Sequence, residues 1–422
     1  MVRWSPGQQI IATTQKFSKK TKYWEKVEGM TKKELVILGA GIGGLSVLKE
    51  LAESGVSLDD LDITVVDKEF SHFLGFTLPW VMRGWREVDS VPIRPSATAL
   101  AGVHPVTSTV RAIDPDAHIV TVADGTDIAF DALVIATGAR NAIDNIPGLR
   151  DAVDNHKAVH YYSADAAAQA HRALRAFTGG RLVFLVTSQP YRCPVAPYEG
   201  ALLAADLLGD NGSRPHTEIS VYSPEKQPMP SAGPFAGPEL VDLLNHNGID
   251  FFGEHAVARV DADRQEIHFQ NGAITAFDLL VFVPPHEPAV TLDGPGWISV
   301  DAATMQTQYP GIFAIGDTTA ITSPSGRPLP KAAIFAKNGA KAAATNVLHY
   351  LGKTDTNTAL SGEGYCYIDT GSGQSAQGKG DFFTLPHPAI HLSPPSQELH
   401  RDKQNEERDW RAIWEHNKPL TG

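Results

Sequence analysis

Two cysteines, Cys193 and Cys366, are the only thiols in 422 residues. Thiols do redox and nucleophilic chemistry through their sulfur, so this pair is the first place to look. They lie 173 positions apart, so only the fold can bring them together. On number alone they read equally as two unrelated buried thiols, because free cysteine is commonly buried. Glu199 follows Cys193 by six positions and has the chemistry to move a proton near it. It reads equally as a carboxylate favouring the dipole of a helix's first turn. Lys331 follows Pro330 in a stretch that reads as a helix start. The dipole opposes an ammonium there, which hints at an anionic ligand; a solvated lysine is the alternative. Sixteen histidines are scattered without metal-ligand spacing, and no metal site is expected.

The elements that position these residues begin with a glycine motif. Leu35–Leu38 is a short apolar run of strand type. GAGIGG follows, with Gly39, Gly41 and Gly44 at the required spacing, and then a helical stretch to Ser54. Ile63–Val66 is a second strand, ending on Asp67. Strand, glycine turn, helix, strand and acid make the dinucleotide-binding βαβ pattern. The glycines admit a pyrophosphate to the helix N-terminus, and the carboxylate can hold a ribose hydroxyl.

The unit recurs. Leu182–Leu185 lies 147 positions after Leu35–Leu38. Asp124-Gly125 precedes FDALVIATG, which starts at Phe130; Asn271-Gly272 precedes FDLLVFVPP, which starts at Phe277, again 147 positions on. Two copies in one register predict an α/β chain of two Rossmann-type domains, the second inserted into the first. In the second copy the glycine loop is replaced by Thr187-Ser188-Gln189-Pro190-Tyr191-Arg192-Cys193, and Ser223 stands where Asp67 stands in the first. The second domain is expected to have lost dinucleotide binding, which argues against NADH or NADPH as electron donor. A divergent loop around an inert cysteine is the alternative.

The predicted organisation is an extension over 1–29, a cofactor domain over 30–150 and 279–350, a degenerate dinucleotide domain over 151–278, and a C-terminal region over 351–422. The extension carries six basic side chains and lacks the apolar stretch of a secretory signal. Composition agrees with a globular chain: 42% apolar, 20% charged, net charge −12. The acidic balance excludes a nucleic-acid binder, and no apolar run reaches the ~18 residues of a membrane span. Residues 396–416 read as a charged helix with large apolar side chains at Leu399, Trp410, Ile413 and Trp414, a short docking stripe that permits peripheral membrane contact at most. A cytoplasmic location is expected. Oligomeric state is left open, a homo-oligomer included.

A strand over Ile312–Ile315 ends in Gly316-Asp317, and Ala136-Thr137-Gly138 closes the first domain. With GAGIGG, these resemble the flavin disulfide-reductase superfamily over almost the whole chain. The resemblance implies FAD in the first domain, with Asp317 on its ribityl chain. CPVAPYE (Cys193–Glu199), GYCY (Gly364–Tyr367), FTLPWVMRGWR (Phe76–Arg86), VPPH (Val283–His286) and the stretch from Pro330 to Val347 narrow it. They resemble the sulfide:quinone oxidoreductases and the flavoprotein of flavocytochrome c sulfide dehydrogenase. That resemblance implies a redox pair of Cys193 and Cys366 beside the flavin, with Cys193 carrying a persulfide and Cys366 on the flavin side. It also implies Lys331 stabilising reduced flavin, and an aromatic loop around Phe76, Pro79, Trp80 and Trp85 near the flavin or acceptor. With both cysteines in the pair, FAD is expected to be noncovalent. Quinone or a redox protein such as a cytochrome is the expected acceptor. A type II NADH:quinone dehydrogenase and a flavin redox sensor without turnover are the other readings.

Overall fold

The computed structural model describes residues 32–292 and 294–415. The predicted extension over 1–29 lies outside them.

The strand Lys33–Leu38 is apolar on both faces from Leu35 to Leu38, as a strand covered on two sides must be. It lies third in a five-stranded parallel sheet whose order is 312–314, 132–135, 33–38, 61–67, 103–107. A second parallel sheet has the order 249–252, 217–222, 180–186, 279–283, 158–159. Each contains a central strand flanked by the next strand on one side and the closing strand on the other. Each is also preceded, at its closing strand, by a three-stranded antiparallel piece, over 110–129 and 257–276. The turns Asp124-Gly125 and Asn271-Gly272 sit in those pieces, where the repeat places them.

Register settles the equivalence of Asp67. Leu35 pairs with Ile63 in the first sheet, and Leu182 with Ile219 in the second. Counting four residues on, Asp67 corresponds to Ser223 at the carboxyl end of the strand. The chain passes between the two sheets through 139–141 and returns through 286–288, which pair antiparallel.

Two further pieces complete the chain. The hairpin Glu363–Gly371 and Gln374–Asp381 packs on the helix Ala196–Asp210. The helix Gln397–Trp414 is capped by Ser396, whose side chain accepts from the Leu399 N–H. Trp410 and Trp414 are buried in the core beneath the first sheet. The expected docking stripe is therefore spent inside the molecule, where a large indole gains most from leaving water. The expected aromatic loop is also a helix, Thr77–Arg83, with Trp80 in the core beneath the second sheet. Among the described residues, no helix is long and apolar enough to cross a membrane.

Candidate functional site

The glycine turn is built for close approach. Gly39 has φ +100°, and a Cβ there would meet the Ala136 carbonyl oxygen at 2.6 Å. A Cβ on Gly44 would stand 1.9 Å from the Gly39 carbonyl oxygen. A Cβ on Gly41 would meet nothing within 4 Å, so that position faces open space at the start of the helix Ile42–Glu53. Asp67 steadies the turn: its carboxylate accepts from the N–H groups of Ala40 at 2.8 Å, Glu69 at 3.0 Å and Phe70 at 2.9 Å. A carboxylate has about four acceptor sites, so capacity remains for a ribose hydroxyl.

Opposite this turn lie Thr137 and Gly138 on one side and Gly316 and Asp317 on the other. The Thr137 and Thr318 hydroxyls are buried with no partner among the described residues. Buried hydroxyls are rarely left unpaired, so these await a ligand. Burial pushes the Asp317 carboxyl above its usual range, against the pull of Arg192 and Lys331. A glycine-lined cradle with unpaired hydroxyls and a carboxylate at a strand end fits a dinucleotide carrying a polyol, as FAD does.

Lys331 does not begin a helix; the helix starts at Ala333. Its ammonium is buried over the Trp297 ring at 3.6 Å and donates to the carbonyls of Asp317 at 2.9 Å and Thr319 at 2.8 Å. Burial lowers its pKa to about 8. Its own carbonyl accepts from the Cys193 N–H at 2.7 Å. Lys331 thus straps the Cys193 loop to the Gly316-Asp317 turn.

Cys193 has φ +59°, a left-handed backbone rare outside glycine. It precedes the helix Ala196–Asp210, whose Ala196 N–H donates to the Cys193 carbonyl at 3.0 Å. Burial pushes its thiol up to about 12, with Glu199 adding to the shift and Lys403 opposing it. Cys366 lies on the strand Glu363–Gly371, packed against the same core. Burial raises its thiol as well, and the charge of Cys193 is the next cause, so the two sulfurs feel one another. Both are free thiols in this structure.

Behind the sulfurs lies a buried ionic cluster. Lys403, 1% exposed, donates to Glu199 at 2.6 Å and to Asp369 at 2.7 Å. Asp369 also accepts from Trp80 Nε1 at 2.5 Å, His400 Nδ1 at 2.8 Å and the Ser375 hydroxyl. One ammonium faces two carboxylates, and the two are served unequally. Burial works against ionised Asp369, but Lys403, His400 and Ser375 hold it well below the usual range. Burial lifts Glu199 to about 8, since Lys403 alone offsets it by charge while Asp369 repels it. The two carboxylates hold Lys403 protonated against its own burial.

Lys403, Asp369 and His400 were not singled out from the sequence. A signal existed for one of them. Leu399, Lys403, Glu407, Trp410 and Trp414 are spaced by four, four, three and four, which puts Lys403 on the apolar face. Arg192 and His286 also went unremarked as single residues. Arg192 donates to Asn141 Oδ1 at 2.8 Å with its Nε unpaired, and both ring nitrogens of His286 are buried without a partner among the described residues.

The loop replacing the second glycine turn is closed on itself. Glu225 lies at the carboxyl end of the second sheet and accepts from Gln189 at 2.8 Å, Tyr191 at 2.9 Å and Tyr198 at 3.1 Å. Ser223 donates to the same carboxylate at 3.3 Å. Side chains occupy the place that glycines would leave to a pyrophosphate.

Comparison with known proteins agrees with this geometry. Residues 33–340 match the family described as pyridine nucleotide-disulphide oxidoreductase. The chain belongs to that family. It is an FAD-dependent oxidoreductase of the sulfide:quinone oxidoreductase-like kind. The sulfide-quinone reductase of Aquifex aeolicus is 25% identical over 84% of this chain and 84% of its own. The mitochondrial sulfide:quinone oxidoreductase of Mus musculus is 24% identical over 68% of this chain, which spans 65% of the mouse protein. A probable ferredoxin reductase of Castellaniella defragrans is 30% identical over 70% of this chain and 68% of its own. In structure, the sulfide:quinone oxidoreductase of Aquifex aeolicus superposes with a TM-score of 0.78 at 20% identity, covering 91% of this chain and 92% of that one. Among the described residues, no group of side chains could hold a metal ion.

Proposed function

We propose that this enzyme oxidises sulfide, or a small thiol of like chemistry, at Cys193 and Cys366, and passes the electrons to quinone. The observation that supports this reading is that Cys193 and Cys366, from distant parts of the chain, pack against one core, with the charge of Cys193 acting on the Cys366 thiol. The substrate and acceptor classes are those in the names of the Aquifex and mouse relatives.

The oxidised form in this reading is a disulfide between the two cysteines. Hydrosulfide attacks Cys193, giving a persulfide there and releasing Cys366 as thiolate. Closing the persulfide onto Cys366 makes a trisulfide and frees two electrons and one proton. FAD, when bound, accepts that electron pair and proton. Gly39, Gly41, Gly44 and Asp67 would hold its pyrophosphate and ribose. Thr137, Gly138, Gly316 and Asp317 would hold the remainder, with Lys331 fixing the cysteine loop to them. Glu199 takes the proton that neutral hydrogen sulfide must lose to become a nucleophile.

The loop closed by Glu225 supports a donor other than NADH. The Castellaniella relative supports a second reading of the acceptor, a small redox protein in place of quinone. Anaerobic titration followed by flavin absorbance tests the donor. Sulfide should bleach the flavin, and Cys193→Ser or Cys366→Ser should each abolish that. Bleaching by NADH alone, indifferent to both cysteines, would overturn the reading. Reoxidation by a soluble quinone or by an oxidised redox protein then separates the two acceptors.

A further inference from the structure

Among the described residues, a cavity meets the buried ionic cluster at His400. It has a volume of about 420 Å³ and opens between Trp85, Arg86, Asp206, Ser372, His400 and Gln404. The His400 side chain is 12% exposed, so it reaches this space while its inner nitrogen is engaged. Nδ1 is hydrogen-bonded to Asp369 at 2.8 Å and Nε2 to the Gln404 side-chain amide at 3.0 Å, and the tautomer decides which nitrogen carries the proton. The edges of the Trp80 and Trp85 rings pack on the imidazole and set its orientation.

From His400 the contacts run inward without a break. Asp369 Oδ1 meets His400 at 2.8 Å, and Asp369 Oδ2 meets Lys403 at 2.7 Å. Lys403 meets Glu199 at 2.6 Å. Glu199 stands in the first turn of the helix that Cys193 precedes, where the Ala196 N–H donates to the Cys193 carbonyl at 3.0 Å and the Glu199 N–H to the Val195 carbonyl at 3.0 Å, and its charge raises the Cys193 thiol. All of these are titratable, and three are almost wholly out of water. A buried cluster of this kind is not needed for stability, since apolar side chains of the same volume often serve as well.

We propose that Glu199, Lys403, Asp369 and His400 form a proton path between Cys193 and the cavity beneath Trp85 and Arg86. The proposal rests on the sulfide reading above. Overall, hydrogen sulfide and oxidised flavin give sulfane sulfur held on the cysteines, reduced flavin anion carrying one proton, and one proton released. The released proton goes to Glu199. Glu199 passes it to Lys403 as Lys403 gives one to Asp369, and Asp369 passes one to Nδ1 of the His400 tautomer whose proton is on Nε2, the nitrogen that then releases its proton outward. His400 delivers it to water in the cavity. No bond to carbon or sulfur changes along this path, and no additional oxidant is needed.

The test is stopped-flow bleaching of the FAD-loaded protein by sulfide, without oxygen, in wild type and His400→Ala. Imidazole is added to both. The cavity is large enough to admit imidazole beside Asp369 once the side chain is removed. We expect His400→Ala to bleach at least tenfold more slowly and imidazole to restore at least half of the lost rate, with no effect on wild type. A variant that bleaches at the wild-type rate overturns the path. So does a slow variant that imidazole does not restore, since a merely structural histidine would behave that way. If wild type itself is not bleached by sulfide, the sulfide reading falls and the path falls with it, an outcome distinct from the other two.

Discussion

Lys403 brings one positive charge into a space holding two carboxylates, and that imbalance sets the properties of the residues around it. Removing the ammonium leaves Asp369 ionised and buried with one partner fewer, a situation that costs about 3–5 kcal/mol in proteins generally. Lys403→Met should lower unfolding free energy by about 3 kcal/mol, read from urea denaturation. Glu199 adds a pH dependence of definite sign. Its folded pKa of about 8 stands above the ordinary 4.5, so between those values the folded form holds a proton that the unfolded form has released. Stability contributed by this group is present below pH 4.5 and is lost as pH rises towards 8. Denaturation curves at pH 5.5 and 8.5 should show the decline in wild type, and Glu199→Gln, which cannot ionise, should flatten it.

At the scale of one element, the turn from the strand Lys33–Leu38 into the helix Ile42–Glu53 separates folding from cofactor binding. Gly44 is held by its own protein: an added Cβ would collide with the Gly39 carbonyl at 1.9 Å. Gly44→Ala should therefore destabilise the fold by about 1–3 kcal/mol, as overpacked sites do. Gly41 faces no protein atom within 4 Å and has an ordinary φ of −85°. Gly41→Ala should leave the unfolding free energy of cofactor-free protein within about 0.5 kcal/mol of wild type. It should nonetheless lower the flavin content of the purified protein several-fold, read as the ratio of flavin to protein absorbance. The second copy of the turn is built differently. Tyr191, Tyr198 and Glu225 fill it, and the chain is free to place a cysteine there.

At the scale of the molecule, the helix Gln397–Trp414 ties the two halves together. Its Trp410 and Trp414 belong to the core under the first sheet, while its Lys403 reaches Glu199 on a helix beneath the second. Trp410 Nε1 also donates to His72 Nε2 at 2.8 Å, next to the Asp67 strand. Trp414→Ala should cost about 3–5 kcal/mol by the usual measure for a buried aromatic. Because the same helix carries Lys403 and His400, that variant should also slow bleaching by sulfide, whereas Ile274→Ala, on an exposed strand far from the site, should change neither.

Local pattern was enough to determine the repeat. Period, glycine spacing and turn dipeptides are properties of short stretches, so both βαβ units, both antiparallel pieces and the correspondence of Ser223 with Asp67 were readable from the chain alone. So was the glycine turn over Gly39–Gly44, because it is one contiguous stretch. The ionic cluster was not. Glu199, Asp369, His400 and Lys403 lie on three separate elements, and although Glu199 stands out beside Cys193 and Lys403 by its place on an apolar face, nothing local says that they meet. The same holds for Trp410 and Trp414, where an apolar stripe states that something must be covered but not what covers it. Lys331 illustrates the limit most directly: it was expected at a helix start, yet the helix begins at Ala333 and its ammonium donates to the carbonyls of Asp317 and Thr319. Which partner a buried charge meets depends on contacts between distant segments, and those exist only once the chain has folded.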